Sequence, residues 1–224
     1  MKKLVMAVAA LGCAASIVSA QTVTSDNIVG YAKPKAMAAG AIEILVPQFS
    51  GVSGGTTLDN AFSGLSANSV VYVWTGSGYL IYTYYGAANG WYDGIFTPSG
   101  NVVIPEGAAV WLQDGGTGAT PVMSGEVPSA SSITNTISAG VSLVANPYPV
   151  ETTLDTLSAA GGIAANDIVY VWTGAGYGIY TYYGAANGWY DGIFTPSGNV
   201  TIPVGVGFWL SSAVGGDMVF TKTF

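Results

Sequence analysis

The chain has 224 residues, half of them hydrophobic, and only 8% are charged, against about 25% in ordinary soluble proteins. It contains no histidine and no arginine, and Cys13 is its single cysteine. These absences exclude Ser-His-Asp and Cys-His nucleophiles, the commonest zinc ligands and bidentate guanidinium contacts with phosphate. Past residue 20, three lysines stand against twelve acidic residues, and the resulting net charge of −9 repels nucleic acid and anionic membrane surfaces.

The N-terminus has the pattern of a bacterial secretory signal peptide. Two lysines precede an apolar run over residues 4–18, and Val18-Ser19-Ala20 forms a small-x-small cleavage site before Gln21. We therefore predict a signal peptide over residues 1–20 and a mature protein that is secreted or held at the bacterial cell surface, in the periplasm or beyond. The alternative is a lipoprotein signal that uses Cys13. No later apolar run reaches about 18 residues without Gly or Pro, so we expect no transmembrane helix.

A long internal repeat fills most of the predicted mature chain. Residues 70–112 return at 168–210, an offset of 98 residues, with 35 of 43 positions identical. This offset is that of a domain rather than of a solenoid repeat, which spans roughly 20–50 residues. We predict two homologous modules, residues 21–126 and 127–224, and the absence of a low-complexity linker between them indicates that they touch.

Strand and turn signals follow one another along module one. Runs of β-branched and aromatic residues, bounded by Gly, Pro and Asn, predict strands at 41–46, 70–74, 79–85, 91–96, 102–104, 108–113 and roughly 121–127. Asn89-Gly90, between two of these runs, favours a tight hairpin turn. Helix candidates are brief, at 58–65 and 154–160. The pattern predicts an all-β fold of two tandem homologous antiparallel β-sandwich-like modules.

Tyrosine and tryptophan are concentrated in one predicted hairpin of each module. Strand alternation places Tyr79, Thr83 and Tyr85 on one face of the hairpin and Leu80 on the other. Because Thr83 is polar, we expect its face to point outward and the Leu80 face to point into the core.

A second polar residue orients the next strand. Asp93 predicts that Trp91 and Ile95 face outward with it, and that Tyr92 and Phe96 face inward. The second module repeats all of these residues.

The rings predicted to be exposed form the candidate ligand-binding site. They are Tyr79, Tyr85 and Trp91, with their counterparts Tyr177, Tyr183 and Trp189. Exposed Tyr and Trp side chains stack on sugar rings or seed protein interfaces. The alternative is cross-strand packing that stabilises the hairpin and binds nothing.

Carboxylates carry the only remaining catalytic chemistry. Asp93 recurs as Asp191, but Glu106 becomes Val204, so a carboxylate pair of the glycosidase type is available in module one alone. The closely spaced Asp and Asn ligands of a calcium loop are also missing from the sequence. We therefore expect no enzymatic activity, no catalytic residues, no metal site and no cofactor.

Three segments of module two resemble an uncharacterised class of exported bacterial β-domains that occurs in surface proteins of Gram-negative bacteria. They are VSLVANPYP at 141–149, IVYVW at 168–172 and IPVGVGFW at 202–209. The class combines N-L-V-x-N-P-Y-P, Y-V-W and G-x-G-F-W patterns, whereas module one has PQFS at 47–50 in place of the Asn-Pro-Tyr-Pro segment. The resemblance implies an extracellular, non-catalytic module.

The eight differences between the two copies include opposite changes of volume. Leu80 becomes Gly178, while Val110 becomes Phe208. Because cores resist both voids and overpacking, we predict contact between Leu80 and Val110, and that the Phe208 ring fills the space over Gly178.

These features predict an exported, non-catalytic surface or matrix protein with a structural or adhesive role. Its expected partners are other surface or matrix proteins, including further copies of itself, and not nucleic acid. One alternative is a carbohydrate-binding protein that uses the duplicated aromatic hairpins on a polysaccharide. Another is a small outer-membrane β-barrel, because Phe224 resembles the final residue of such barrels.

Overall fold

The computed structural model describes residues 28–50 and 56–224, and this part of the chain is all-β, as predicted. The predicted signal peptide over residues 1–20 and its cleavage site before Gln21 lie outside the described residues. Within the described ranges the chain forms sixteen strands and two short helices.

Seven strands and one helix lie in the first half of the chain. They are β1 (Val29–Ala32), β2 (Ile42–Leu45), α1 (Leu58–Ala61), β3 (Ser69–Trp74), β4 (Tyr79–Tyr84), β5 (Trp91–Asp93), β6 (Val110–Gln113) and β7 (Met123–Glu126). An antiparallel five-stranded sheet has the order β2-β6-β3-β4-β5, and β1 pairs with β7 as a separate ribbon.

The second half repeats this arrangement. Its elements are β8 (Ser132–Ile137), β9 (Gly140–Val144), β10 (Thr152–Thr153), α2 (Leu154–Ala159), β11 (Ile168–Trp172), β12 (Tyr177–Tyr182), β13 (Trp189–Asp191), β14 (Thr201–Ile202), β15 (Phe208–Ser212) and β16 (Gly216–Thr221). The sheet β9-β15-β11-β12-β13 matches the first sheet strand for strand, and β8 pairs with β16 as β1 pairs with β7. The fold is therefore two tandem antiparallel modules of the same topology.

Strand alternation gives each five-stranded sheet a core face and an aromatic face. In module one Val71 pairs with Tyr82 and Leu112 on the core face, and all three side chains are buried. The aromatic face carries Tyr72 on β3 and Tyr79 on β4, whose rings meet edge to face with centroids 6.1 Å apart. Leu80 lies on the same face of β4 as the buried Tyr82, but the Leu80 side chain itself is 52% exposed, so the predicted inward position holds for Tyr82 and not for Leu80.

The two modules share one hydrophobic core. Leu45 and Val110 of module one lie in the same buried cluster as Val144 and Phe208 of module two. Backbone pairing also crosses the junction: Val46 N–H donates to the Gly205 carbonyl at 2.9 Å, and Gly207 N–H donates to the Ile44 carbonyl at 3.2 Å. The modules therefore pack as one body.

The contacts between the modules have pseudo-twofold symmetry. Trp74 packs on Trp209 with ring centroids 5.3 Å apart, and the reciprocal pair, Trp111 and Trp172, lies at 5.4 Å. Trp74 is the counterpart of Trp172, and Trp111 is the counterpart of Trp209, with an offset of 98 residues in both cases. The two modules therefore contact one another through the same surface patch. The indole N–H of Trp172 also donates to the Ile42 carbonyl at 2.8 Å.

Equivalent residues meet where this pseudo-axis passes. The buried Gln48 side chain donates to the carbonyl of Asn146, its own counterpart, at 3.0 Å and to that of Tyr148 at 2.7 Å. A Cβ added to Gly207 would lie 2.4 Å from the Cβ of Ala109, which is the counterpart of Gly207. Only one of the two positions has room for a methyl group, which explains why the copies differ there.

The segment that carries the family resemblance is part of this junction. Tyr148 is fully buried and its hydroxyl donates to the Ala130 carbonyl at 2.8 Å, while Asn146 Oδ1 accepts from the Tyr148 backbone N–H at 3.0 Å. Within module two these residues fix a turn, and across the junction their carbonyls receive Gln48. Their role in the described structure is structural.

The predicted packing around Leu80 and Gly178 is wrong. Val73 pairs with both Leu80 and Val110, so it lies between them, and the hydroxyl of Tyr180 rather than the Phe208 ring is the nearest group to Gly178. The predicted hairpin is confirmed: β4 pairs antiparallel with β5, and Asn89-Gly90 lies in the loop that joins them. The loop closes through a hydrogen bond from Tyr85 N–H to the Gly90 carbonyl, and the glycines at 86 and 90 adopt positive φ.

Candidate functional site

The two tryptophans predicted to be exposed are buried. Trp91 is 2% exposed and Trp189 is 1% exposed, so neither can stack on an external ligand. Trp91 pairs across strands with Tyr84, whose ring lies 5.2 Å away on the core face, and antiparallel partners share a face. Asp93 gave the wrong orientation because it lies at the end of its strand, where its carboxylate accepts hydrogen bonds from the following turn and does not report which face of the strand is exposed.

This turn presents Phe96, which was predicted to face inward, to the solvent. Asp93 Oδ1 accepts from the backbone N–H groups of Ile95 at 3.0 Å and Thr97 at 2.8 Å, which is an Asx-type turn. The hydrogen bond from Thr97 lowers the pKa of Asp93, and that from Ile95 acts in the same direction against partial desolvation. The turn leaves the Phe96 side chain 70% exposed.

Four side chains around this turn enclose a shallow concavity, which we call the aromatic cradle. Tyr85, Asn89, Tyr92 and Phe96 line a cavity of about 340 Å³. The Tyr85 ring meets Tyr92 edge to face, with centroids 5.7 Å apart, and lies nearly parallel to Phe96 at 5.9 Å. Asn89 Nδ2 donates to the Tyr85 carbonyl at 3.2 Å and so holds the amide beside the rings.

Module two contains the same cradle. Tyr183, Asn187, Tyr190 and Phe194 line a cavity of about 320 Å³. Tyr183 lies 5.7 Å from Tyr190 and 6.0 Å from Phe194, with the same edge-to-face and stacked arrangements. The two cradles are therefore equivalent in residues and in ring geometry.

Each cradle contains one strained backbone position. Phe96 has φ of 61° and Phe194 has φ of 60°, in the left-handed region that bulky side chains avoid. Such a conformation costs on the order of 1–3 kcal/mol and is typical of sites where a side chain must be held in one place. Each ring stacks on a tyrosine of its own cradle, and most of its surface remains exposed to solvent.

An aromatic track joins the two cradles along the aromatic faces of β4 and β12. From the first cradle it runs through Ile81 to Tyr79, and from the second through Ile179 to Tyr177, all four being exposed. The two halves of the track meet through tryptophans at the junction: the Tyr79 ring lies 5.0 Å from Trp74, and Trp74 packs on Trp209 at 5.3 Å. Burial raises the pKa of Tyr177, a hydrogen bond with Trp209 lowers it, and the neighbouring Tyr79 raises it further.

Four of the six predicted site residues thus lie on one continuous surface. Tyr79, Tyr85, Tyr177 and Tyr183 belong to the track or the cradles, whereas the two tryptophans lie beneath it. Sequence reasoning missed Asn89, Tyr92 and Phe96 and their counterparts. The signal that identifies them is the Asp-Gly-Ile-Phe-Thr segment. Its Asp side chain accepts hydrogen bonds from backbone N–H groups two and four residues later, and the resulting turn points the Phe side chain outward.

The two carboxylates that could form a glycosidase-type pair in module one, Asp93 and Glu106, both have structural hydrogen-bond partners. Glu106 Oε1 accepts from the Ser50 hydroxyl at 3.3 Å, and Asp93 binds its turn. Within residues 28–50 and 56–224, no group of three or more His, Cys, Asp or Glu side chains is placed to hold a metal ion. In the same ranges no helix is long and apolar enough to cross a membrane.

Comparison with known proteins found no matching family model, no matching curated protein and no matching solved structure.

Proposed function

We propose that the protein is a non-catalytic adhesion protein that acts at the bacterial surface or in its extracellular matrix through two equivalent aromatic cradles. The observation that carries the proposal is the duplication of the cradle with the same four residue types, the same ring geometry and the same strained phenylalanine. The predicted signal peptide supports the location.

The junction between the modules supports adhesion through two sites at once. Reciprocal tryptophan pairs and a shared core hold the modules as one body, so the cradles are kept at a fixed separation. When two weak sites are held rigidly, the second binding event becomes intramolecular, and overall affinity can rise by about 10²–10⁴ without any new contact. This is a physical advantage of keeping both copies alike.

The composition of the surface fits the same role. Few charges and many short polar residues leave the exposed rings as the strongest available contact groups, because aromatic side chains supply large contact area at low entropic cost. Exposed aromatic clusters on a soluble fold are typical of interaction sites.

The test is retention of purified mature protein on the surface or matrix of the cells that produce it. We expect Phe96→Ala combined with Phe194→Ala to abolish retention, and either substitution alone to weaken it to a similar extent. The matched control is Ile95→Ala combined with Ile193→Ala, because these side chains are as exposed, lie on the same turns and are not part of the cradles. Retention that is unchanged in the double phenylalanine variant, or lost equally in the isoleucine variant, contradicts the proposal.

A further inference from the structure

We infer that the ligand of the adhesion site is an extended, neutral polysaccharide chain that lies along the aromatic track and occupies both cradles. The inference rests on the proposed function and names the class of ligand. It follows from the openness of the site, the chemistry of its residues, its charge and its continuity across the junction.

The cradles have the shape of a site for a polymer. Enclosed pockets bury most of the surface of a small ligand, whereas each cradle is a shallow concavity with an exposed phenylalanine at its rim. A small molecule here would keep much of its surface in water. A chain gains contacts in proportion to the length of track that it covers.

The residues of the cradle match the amphipathic character of a pyranose ring. Rings of Tyr85, Tyr92 and Phe96 offer apolar faces, while two phenol hydroxyls and the Asn89 amide are hydrogen-bonding groups beside them. A sugar ring has an apolar C–H face and a rim of hydroxyls, so it can stack and form hydrogen bonds at the same time. A purely aliphatic ligand would leave the phenols and the amide unused.

The charge of the site favours a neutral chain over an acidic one. No lysine belongs to either cradle or to the track, and Lys35 is paired with Glu43 at 2.7 Å. Asp93 and Asp191 lie at the bases of the two turns, and the mature chain is strongly acidic. A polyuronate or sulfated glycan would be repelled at this surface.

The track also explains how a directional chain can use sites related by a pseudo-twofold axis. Along one strand the six residues of β4 span roughly 20 Å, and β12 carries the equivalent stretch on the other side of the Trp74–Trp209 contact. The chain must pass the two cradles in opposite senses. Stacking on an aromatic face tolerates this reversal, whereas a dense set of directional hydrogen bonds does not.

The experiment is affinity gel electrophoresis of the mature protein in gels that contain one soluble polymer each. We expect a neutral glucan, xylan or galactomannan to retard the protein, and alginate, as the acidic polymer, to leave its mobility unchanged. The disaccharide unit of the retarding polymer should compete roughly 100-fold less well than the polymer, because it occupies one cradle only.

Two variants separate the cradles from the track. Phe96→Ala with Phe194→Ala should abolish retardation, while Ile81→Glu with Ile179→Glu leaves both cradles intact but places charge on the track between them. The second variant should weaken polymer binding by roughly tenfold and leave the weak binding of the disaccharide unchanged. The control is again Ile95→Ala with Ile193→Ala.

Several results overturn the inference. One is that the disaccharide competes as well as the polymer, and another is that alginate retards the protein. A third is that the protein binds polyproline or tetramethylammonium while no neutral glycan retards it. If Phe96→Ala with Phe194→Ala loses adhesion to cells while no neutral polysaccharide retards the wild-type protein, the ligand class is wrong and the proposed function stands. If neither adhesion nor retardation depends on the two phenylalanines, both are wrong.

Discussion

Removing one tryptophan from the junction should destabilise the whole molecule. Trp111 is buried between the modules, where its ring packs on Trp172. Truncation of a buried aromatic ring costs about 3–5 kcal/mol, so Trp111→Ala should lower the free energy of unfolding by about that amount. For a chain of this size each kcal/mol lowers Tm by about 2–4 °C, which gives a fall of roughly 6–20 °C.

The assay is thermal and urea unfolding of the mature protein, followed by circular dichroism at wavelengths that report the sheets. Because both modules contribute to one core, we expect a single cooperative transition in the wild type and in the variant. Two separate transitions, or a fall in Tm of less than about 2 °C, would refute the shared interface.

A double-mutant cycle identifies the contact itself. Trp111→Ala and Trp172→Ala should be non-additive by about 0.5–1.5 kcal/mol, the usual coupling of an aromatic pair. The matched control pairs Trp111→Ala with Trp91→Ala, because Trp91 is equally large and buried but belongs to the opposite face of the sheet. Additivity of the first pair, or equal coupling in both, would contradict the assigned geometry.

Three further substitutions test the junction, a buried carboxylate and the cradle. Gly207→Ala should lower the free energy of unfolding by about 1–3 kcal/mol, because the new Cβ would meet Ala109 of module one. The control Gly192→Ala faces open space and should change it little. Equal effects of the two substitutions in urea titrations would count against close packing at the junction. Burial raises the pKa of Asp114, but hydrogen bonds from Ser66 and three backbone N–H groups outweigh it and hold the pKa at about 2. Because the pKa of Asp114 is lower in the folded than in the unfolded state, the ionised carboxylate stabilises the fold at any pH above its ordinary pKa, and this stabilisation is lost as the pH falls toward 2. We therefore expect Asp114→Asn to cost about 2 kcal/mol at pH 7 and little near pH 2. A loss that is the same at both pH values would be inconsistent with this. Phe96→Gly relieves the strain of the positive φ but loses the stacking on Tyr85 and adds the conformational entropy of glycine. These effects oppose one another, so we expect stability to change by less than about 1 kcal/mol while adhesion weakens; a large fall in Tm would show that the ring is structural.

The sequence was sufficient to predict the fold because the relevant signals are local. Alternation and turn residues place most strands, and β3 at 69–74 and β4 at 79–84 lie within one residue of the predicted runs. The run at 91–96 is a strand only over Trp91–Asp93, and the run at 102–104 contributes a single β-bridge at Val103, because the chain turns after Asp93 and before Ile104. The repeat then predicts that the second module has the same topology. Helix α1 is shorter than predicted, Leu58–Ala61 against 58–65, because a single capped turn is not extended by tertiary packing.

The candidate site was only half predicted because exposure is a tertiary property. Trp91 and Phe96 are both large aromatic residues, and the sequence does not distinguish them. The strand register buries Trp91, whereas the Asx turn exposes Phe96. The junction was also beyond sequence reasoning. Trp74 and Trp111 lie on the aromatic face with Tyr79, and only the contact between modules decides which of these rings become covered.

The most direct test of the central claim compares four proteins on the same ligand-bearing surface by biolayer interferometry. They are the wild type, Phe96→Ala, Phe194→Ala and the variant with both substitutions. If two equivalent cradles act together, the two single variants should dissociate at similar rates, each roughly 10²–10⁴ times faster than the wild type, and the double variant should not be retained. Wild-type retention of the double variant, or a large difference between the two single variants, would contradict the account.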